Sequence, residues 1–141
     1  MKLYVYTDGA SRGNPGESAS GYLILDQTRK LLQKHVFYNG VCTNNVAEYN
    51  AVIVALKKSL GIGGSEVTLV SDSKLVINQL AGNYKTKDRR LRALNTAARK
   101  LLDAFKKREL LNVPRENRYI SMVDMELNRF LDDKAAGQEK V

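Results

Sequence analysis

An α/β sandwich is the fold class that this sequence predicts, a mixed five-stranded sheet of three antiparallel strands followed by two parallel ones, flanked by helices. Three observations carry the expectation. Apolar residues recur in three short strand-like runs near the N-terminus. An apolar helix and a strongly apolar strand follow, in an order that favours a right-handed crossover. Farther on, apolar residues return at helical spacing. At 141 residues, with Cys42 as the only cysteine, one ordinary domain is expected, burying roughly two thirds of its unfolded surface without disulfides.

Leu3 to Asp8, Gly21 to Asp26 and Leu31 to Tyr38 read as the antiparallel strands, the last two joined by the polar connection Gln27-Thr28-Arg29-Lys30. Asn14-Pro15-Gly16 reads as a tight turn before the second strand. Thr43, Asn44 and Asn45 offer capping side chains to a helix over Val46 to Leu56, which Gly61 to Gly64 stop. Glu66 to Ser71 is the next strand, ending at Asp72, and Ser73 to Leu80 a short helix broken at Gly82-Asn83-Tyr84. Leu91, Leu94, Ala98, Leu101, Leu102 and Phe105 place an amphipathic helix under the basic stretch that follows. Glu109 to Val113 is a last strand, ended by Pro114. Ser121 is expected to cap a final helix with Val123, Leu127, Phe130 and Leu131 as its buried stripe. Residues 1–136 then form one domain, and a tail over 137–141 is expected to fray.

The single His35 and single Cys42 exclude the usual zinc clusters, so a bound metal is held by oxygen, which points to magnesium, manganese or calcium. No run is long and apolar enough for a bilayer, and Met1-Lys2 leads straight into a strand, so a soluble, cytoplasmic protein with no membrane partner is expected. The formal charge is +8, and the whole excess lies between Lys85 and Arg108, where ten basic residues face two acids, Asp88 and Asp103. Such concentration suits a phosphate-binding surface, and equally a solvated helix face.

Asp8 ends an apolar run and enters a turn rich in glycine, where Gly9, Gly13 and Gly16 give the backbone freedom and admit a bulky polyanion. Asp72 ends a second apolar run, and Glu48 opens an apolar helix, where an acid is costly without a cation. Each acid singly also reads as a cap, a turn or a surface charge. If the two strands are neighbours, the three carboxylates meet at one edge, and two divalent ions about 4 Å apart would remove their repulsion, activate a water and stabilise a leaving oxygen.

Tyr6-Thr7-Asp8-Gly9, Thr43-Asn44-Asn45-Val46-Ala47-Glu48-Tyr49 and Ser71-Asp72-Ser73 resemble the three core motifs of type 1 ribonuclease H, in the family's order, and the resemblance runs from Lys2 to about Asp132. It implies the ribonuclease H-like fold and an endonuclease that cuts the RNA strand of an RNA/DNA hybrid, leaving 5′-phosphate and 3′-hydroxyl ends. Two magnesium ions, with manganese as a substitute, would be held by four acids. Asp8, Glu48 and Asp72 match the first three. For the fourth, Asp124 is favoured over Asn128, because a carboxylate holds a hard ion better than an amide does. The histidine that many members carry before the last helix is replaced by Pro114-Arg115-Glu116-Asn117. Glu116 is the titratable candidate for proton transfer there, and His35 is expected to be structural.

By the same resemblance, Gly9, Asn14, Asn44 and Asn45 would line the groove that reads the RNA strand, with Asn78 added because it falls about one and a half helical turns beyond Asp72 on the same side, while Thr43 would belong to a pocket for a DNA phosphate. Each asparagine serves equally well as a turn or cap residue. With no tryptophan, the chain resembles the short members that lack a basic protrusion; Tyr84, Lys85 and Lys87 are expected to hold the DNA strand instead. No hybrid-binding segment is expected before Met1, processive binding is not expected, and a monomer is. Two other readings stay open: a non-catalytic or weakly active nucleic-acid-binding module on the same fold, and a nuclease acting mainly on double-stranded RNA.

Overall fold

The computed structural model describes residues 1–139. Its sheet comprises β1 (Lys2–Arg12), β2 (Gly16–Asp26), β3 (Leu31–Cys42), β4 (Glu66–Ser71) and β5 (Lys107–Asn112), in the spatial order β3-β2-β1-β4-β5. The first three strands pair antiparallel, and β4 pairs parallel with both β1 and β5. The helices are α1 (Asn44–Gly61), α2 (Lys74–Leu80), α3 (Arg89–Asp103) and α4 (Arg118–Glu139).

Alternation along β1 divides the interior in two. Leu3 and Val5 point into a core shared with Tyr49, Val52 and Leu56 of α1, Ile77 of α2 and Leu102 of α3. Tyr6 points the opposite way, into a second core with Leu23, Val70, Ile120, Val123, Leu127 and Leu131, under α4. The first core is tied by one buried polar chain: the Tyr49 hydroxyl donates to Gln79 Oε1 at 2.7 Å and accepts from Asn95 Nδ2 at 3.1 Å. Without those partners a hydroxyl buried at that depth would cost about 1–3 kcal/mol.

Four expectations are corrected. β1 does not end at Asp8: pairing with β2 continues through Asp8↔Gly21 to Arg12↔Glu17, because Gly9 is extended and only Gly13 among the turn glycines has positive φ, at 96°. The basic stretch is not one helix. Lys85 and Lys87 lie in the α2–α3 loop, Lys106 lies beyond α3, and Lys107 and Arg108 begin β5, since pairing with Glu66 and Val67 starts there. Phe105 is buried but falls after the last turn of α3. Finally, Asn117 caps α4 instead of Ser121. Its Oδ1 accepts from the Tyr119 and Ile120 amides, and Ser121 sits inside the helix donating to the Arg115 carbonyl. α4 continues through Gly137 to Glu139, and residues 140–141 of the tail expected to fray lie outside the described residues.

Candidate active site

Register brings Asp8 and Asp72 together. Tyr6 of β1 stands opposite Val70 of β4, and each acid lies two residues farther on, on the same face of its chain. Glu48 arrives from the first turns of α1, which Thr43 caps by accepting from the Val46 amide. Its approach depends on Gly9: a Cβ there would lie 2.5 Å from the Ala47 carbonyl carbon and 2.5 Å from the Glu48 nitrogen. Gly21, paired with Asp8, gives α4 room in a milder way, since a Cβ there would press the side-chain ends of Leu127 at 3.1 Å and Val123 at 3.2 Å, which a shift of a few tenths of an ångström relieves. Two missing side chains thus let two helices close on Asp8 from opposite faces of the sheet.

One oxygen from each of Asp8, Glu48 and Asp72 lies within 4.8 Å of the others. Asp8 is 4% exposed and Glu48 8%, so water screens them poorly. Burial, reinforced by the Asp72 charge, raises the Asp8 carboxyl to about 7, although its hydrogen bond with Glu48 opposes the shift. Burial, followed by the Asp8 and Asp72 charges, raises Glu48 well above the ordinary range. Asp72 is also raised by burial, with Arg115 pulling it down and Asp124 pushing it up. The Gly9 amide orients Asp8 by donating to Oδ1 at 2.9 Å.

Such a cluster fits a divalent cation. The donors are all hard carboxylate oxygens, and Glu48 Oε2 is buried without a hydrogen-bond partner. A cation would meet that orphaned atom and remove the repulsion that otherwise keeps protons on the cluster.

The acids open into a cleft of about 420 Å³ that also takes in Gly9, Asn44, Asn45, Asp124 and Asn128. Asp124 stands outside the 4.8 Å group, but its charge raises both Asp8 and Asp72. Asn128 is otherwise engaged: Arg12 Nη2 donates to its Oδ1 at 3.1 Å and its carbonyl at 3.2 Å, and pairs with Asp132 at 2.9 Å.

Other expected residues stand off the cleft. Asn14 does not line it; its Oδ1 accepts from the Asn44 amide and braces the start of α1. Thr43 spends its hydroxyl on the α1 cap. Asn78 is turned to the α2–α3 loop, donating to the Lys74 carbonyl and accepting from Asn83. Tyr84, Lys85 and Lys87 are exposed in that loop. Glu116 is exposed and does not line the cleft, because the turn closed by Asn117 N on the Pro114 carbonyl presents Arg115 instead, 3.9 Å from Asp124. His35 lies on β3 between the Tyr22 and Phe37 rings and is likewise not part of the cleft. Sequence reasoning missed Arg12 and Arg115, both lining the cleft. The only signal for Arg115 was its place in the loop where the resembled family carries histidine.

Fold and site together define a class: an α/β domain with a carboxylate cluster able to hold a divalent cation beside the paired ends of its central parallel strands. The chain belongs to the RNase H family, whose sequence pattern it matches over residues 1–123. That match stops one residue short of Asp124. Ribonuclease HI of Halobacterium salinarum is 37% identical over 132 residues, covering 94% of this chain. The chain spans only 65% of that relative's length. The crystal structure of RNase H1 from Halobacterium salinarum superposes with a TM-score of 0.89, covering 94% of this chain and 99% of the other at 37% identity. LC11-RNase H1 in complex with an RNA/DNA hybrid is 32% identical with a TM-score of 0.80, over 92% of this chain and 99% of that one. The RNase H family is divalent-metal dependent, in keeping with the acidic cluster.

Proposed function

We propose that this chain is an endonuclease that hydrolyses the RNA strand of RNA/DNA hybrids, leaving 5′-phosphate and 3′-hydroxyl ends, with two magnesium ions as cofactor and manganese as a substitute. The observation that carries the reading is the cluster of buried Asp8 and Glu48 with half-buried Asp72 on an open, polar cleft. Family membership and a relative solved with an RNA/DNA hybrid support it. Residues 1–136 are the catalytic unit in this reading, acting as a cytoplasmic monomer.

Asp8, Glu48 and Asp72 would hold the ions, with Asp124 as fourth ligand. In favour of Asp124 over Asn128 stand its carboxylate chemistry, its coupling to Asp8 and Asp72, and the Arg12 contacts that occupy the Asn128 oxygen. Divalent ions in such a site neutralise phosphate charge and activate water. The protein's own groups do the rest. Asp8, raised to about 7 in the bare cluster, would release its proton to solvent as the site fills and serve as a carboxylate. Arg115, beside Asp124 and in the cleft, would face the negative charge that develops during cleavage, a role separate from the proton transfer for which Glu116 is the candidate on that loop. Asn44 and Asn45 offer amides to the 2′-hydroxyl side of the groove, while Gly9 lets a backbone come close. Asn14, Thr43 and Asn78 act by shaping the α1 start and the loop. Tyr84, Lys85 and Lys87 present that loop to the DNA strand.

Labelled RNA/DNA, RNA/RNA and DNA/DNA duplexes incubated with the protein in magnesium or manganese test the reading. Metal-dependent cutting of the hybrid, with products extendable from a 3′-hydroxyl, is expected. Hybrid that is bound but uncut in either metal would reduce the protein to a binding module, and faster cutting of RNA/RNA would reassign its substrate.

A further inference from the structure

The sequence concentrates its positive charge, and the structure sets much of it on one rigid face. Arg89, Arg90, Arg92, Arg99 and Lys100 are exposed on α3, which is anchored from below by Leu91, Asn95, Ala98 and Leu102. Among the described residues none of these five forms an ion pair. The two acids at the ends of α3 are already engaged: Asp88 caps the helix through the Leu91 amide at 2.9 Å, and Asp103 pairs with Arg108.

Folding gives no reason for the N-terminal part of this arrangement. Past the Asp88 cap, the first turn of α3 carries arginines and no acid, which opposes the helix dipole, and Arg89 and Arg92 repel one another one turn apart, whereas Arg99 and Lys100 near the C-terminal end suit the dipole. Between the cations the exposed residues are small: Ala93, Thr96 and Ala97. A stiff polyanion can therefore approach the helix flank closely, meeting Arg92 and Arg99 about 10 Å apart along the axis. An acidic protein partner is disfavoured, since this face offers none of the aromatic or large apolar anchors on which protein interfaces rely.

We propose that the outer face of α3 is an auxiliary surface for the phosphate backbone of the duplex arm that extends beyond the cleft. It continues the track begun by Lys85 and Lys87, and it rests on the nuclease reading above. Affinity then depends on duplex length, because only a long hybrid reaches both the cleft and α3.

The test compares hybrids of about 8 and about 25 base pairs by fluorescence anisotropy in EDTA, and by cleavage in magnesium. The full chain carrying Arg92→Gln, Arg99→Gln and Lys100→Gln is set against a charge-matched control, Lys57→Gln, Lys58→Gln and Arg129→Gln, whose residues are exposed on α1 and α4. The α3 variant should lose about tenfold in affinity for the long hybrid and under about twofold for the short one, with a salt slope shallower by about 2–3 for the long hybrid. The control should lose under about twofold on both. Equal losses on both lengths, an equal loss in the control, or unchanged long-hybrid affinity would overturn the proposal, the last handing this face to an acidic protein partner. If the wild type cuts no hybrid yet keeps its α3-dependent preference for length, the nuclease reading falls and the α3 surface stands.

Discussion

Asp8→Asn should stabilise the metal-free protein at neutral pH while abolishing its response to magnesium. Asp8 is 4% exposed, and burial with the Asp72 charge raises its carboxyl from 3.8 to about 7. A carboxyl raised on folding contributes fully below its unfolded value, and that contribution is lost as pH rises through the folded one. The bare fold should therefore weaken between 3.8 and about 7. A shift of that size corresponds to at most about 4 kcal/mol, of which about 2–4 is expected to be recovered by an uncharged isostere. Asparagine keeps the Oδ1 acceptor for the Gly9 amide and relieves the charge that raises Glu48. For a chain of this length the gain amounts to roughly 5–12 °C in Tm. Thermal melts in EDTA across the acid-to-neutral range should show the variant ahead near neutrality and level with the wild type near the low end. Magnesium should raise the Tm of the wild type and leave the variant unmoved. A variant no more stable than the wild type at neutral pH, or a gain that does not shrink with acid, would refute the view that the cluster is electrostatically strained.

Gly9→Ala should cost about 3 kcal/mol or more, because the added Cβ meets the α1 backbone at 2.5 Å; urea denaturation measures it, and a change within about 0.5 kcal/mol would mean that α1 shifts freely. Asp124→Ala should collapse turnover by about a hundredfold or more, whereas Asn128→Ala should reduce it by less than about tenfold by loosening the Arg12 contacts. Single-turnover rates over a magnesium titration separate the two, and the reverse ranking would make Asn128 the ligand. Lys85→Gln with Lys87→Gln should raise KM and flatten the salt slope by up to about 2, with kcat little changed; an unaltered slope would remove both residues from the phosphate track.

Much of this site was legible from the chain because its motifs are local. Asp8 and Asp72 each follow an apolar run of a few residues, and Glu48 stands out as an acid in a helix apolar nearly all round. The order of elements sufficed for a crossover, but it left open which strand β4 joins, and only the sheet itself sets β4 beside β1. Legibility failed where a choice is made by contacts distant in sequence. The end of β1 looked set by Gly9, yet pairing with β2 carries the strand to Arg12. The cap of α4 looked like Ser121, yet the Pro114–Asn117 turn hands the role to Asn117. Glu116 and Arg115 are neighbours in sequence, and only the direction of that turn puts the arginine into the cleft.

By itself the sequence determined the fold class, the oxygen-only chemistry open to any bound metal and the three acids that the fold gathers, since these depend on residue type, periodicity and element order. Tertiary structure alone decided how close the acids come, how burial and mutual repulsion hold protons on them, and that Arg12 bonds the Asn128 oxygen at the rim of a cleft which Asp124 also lines. It also decided that Gly9 and Gly21 serve packing, admitting α1 and α4 to Asp8. The physical reason is one of range. Patterning is read within a turn or a strand, whereas a carboxylate's protonation and a glycine's necessity are set by atoms that only the finished fold brings within a few ångströms.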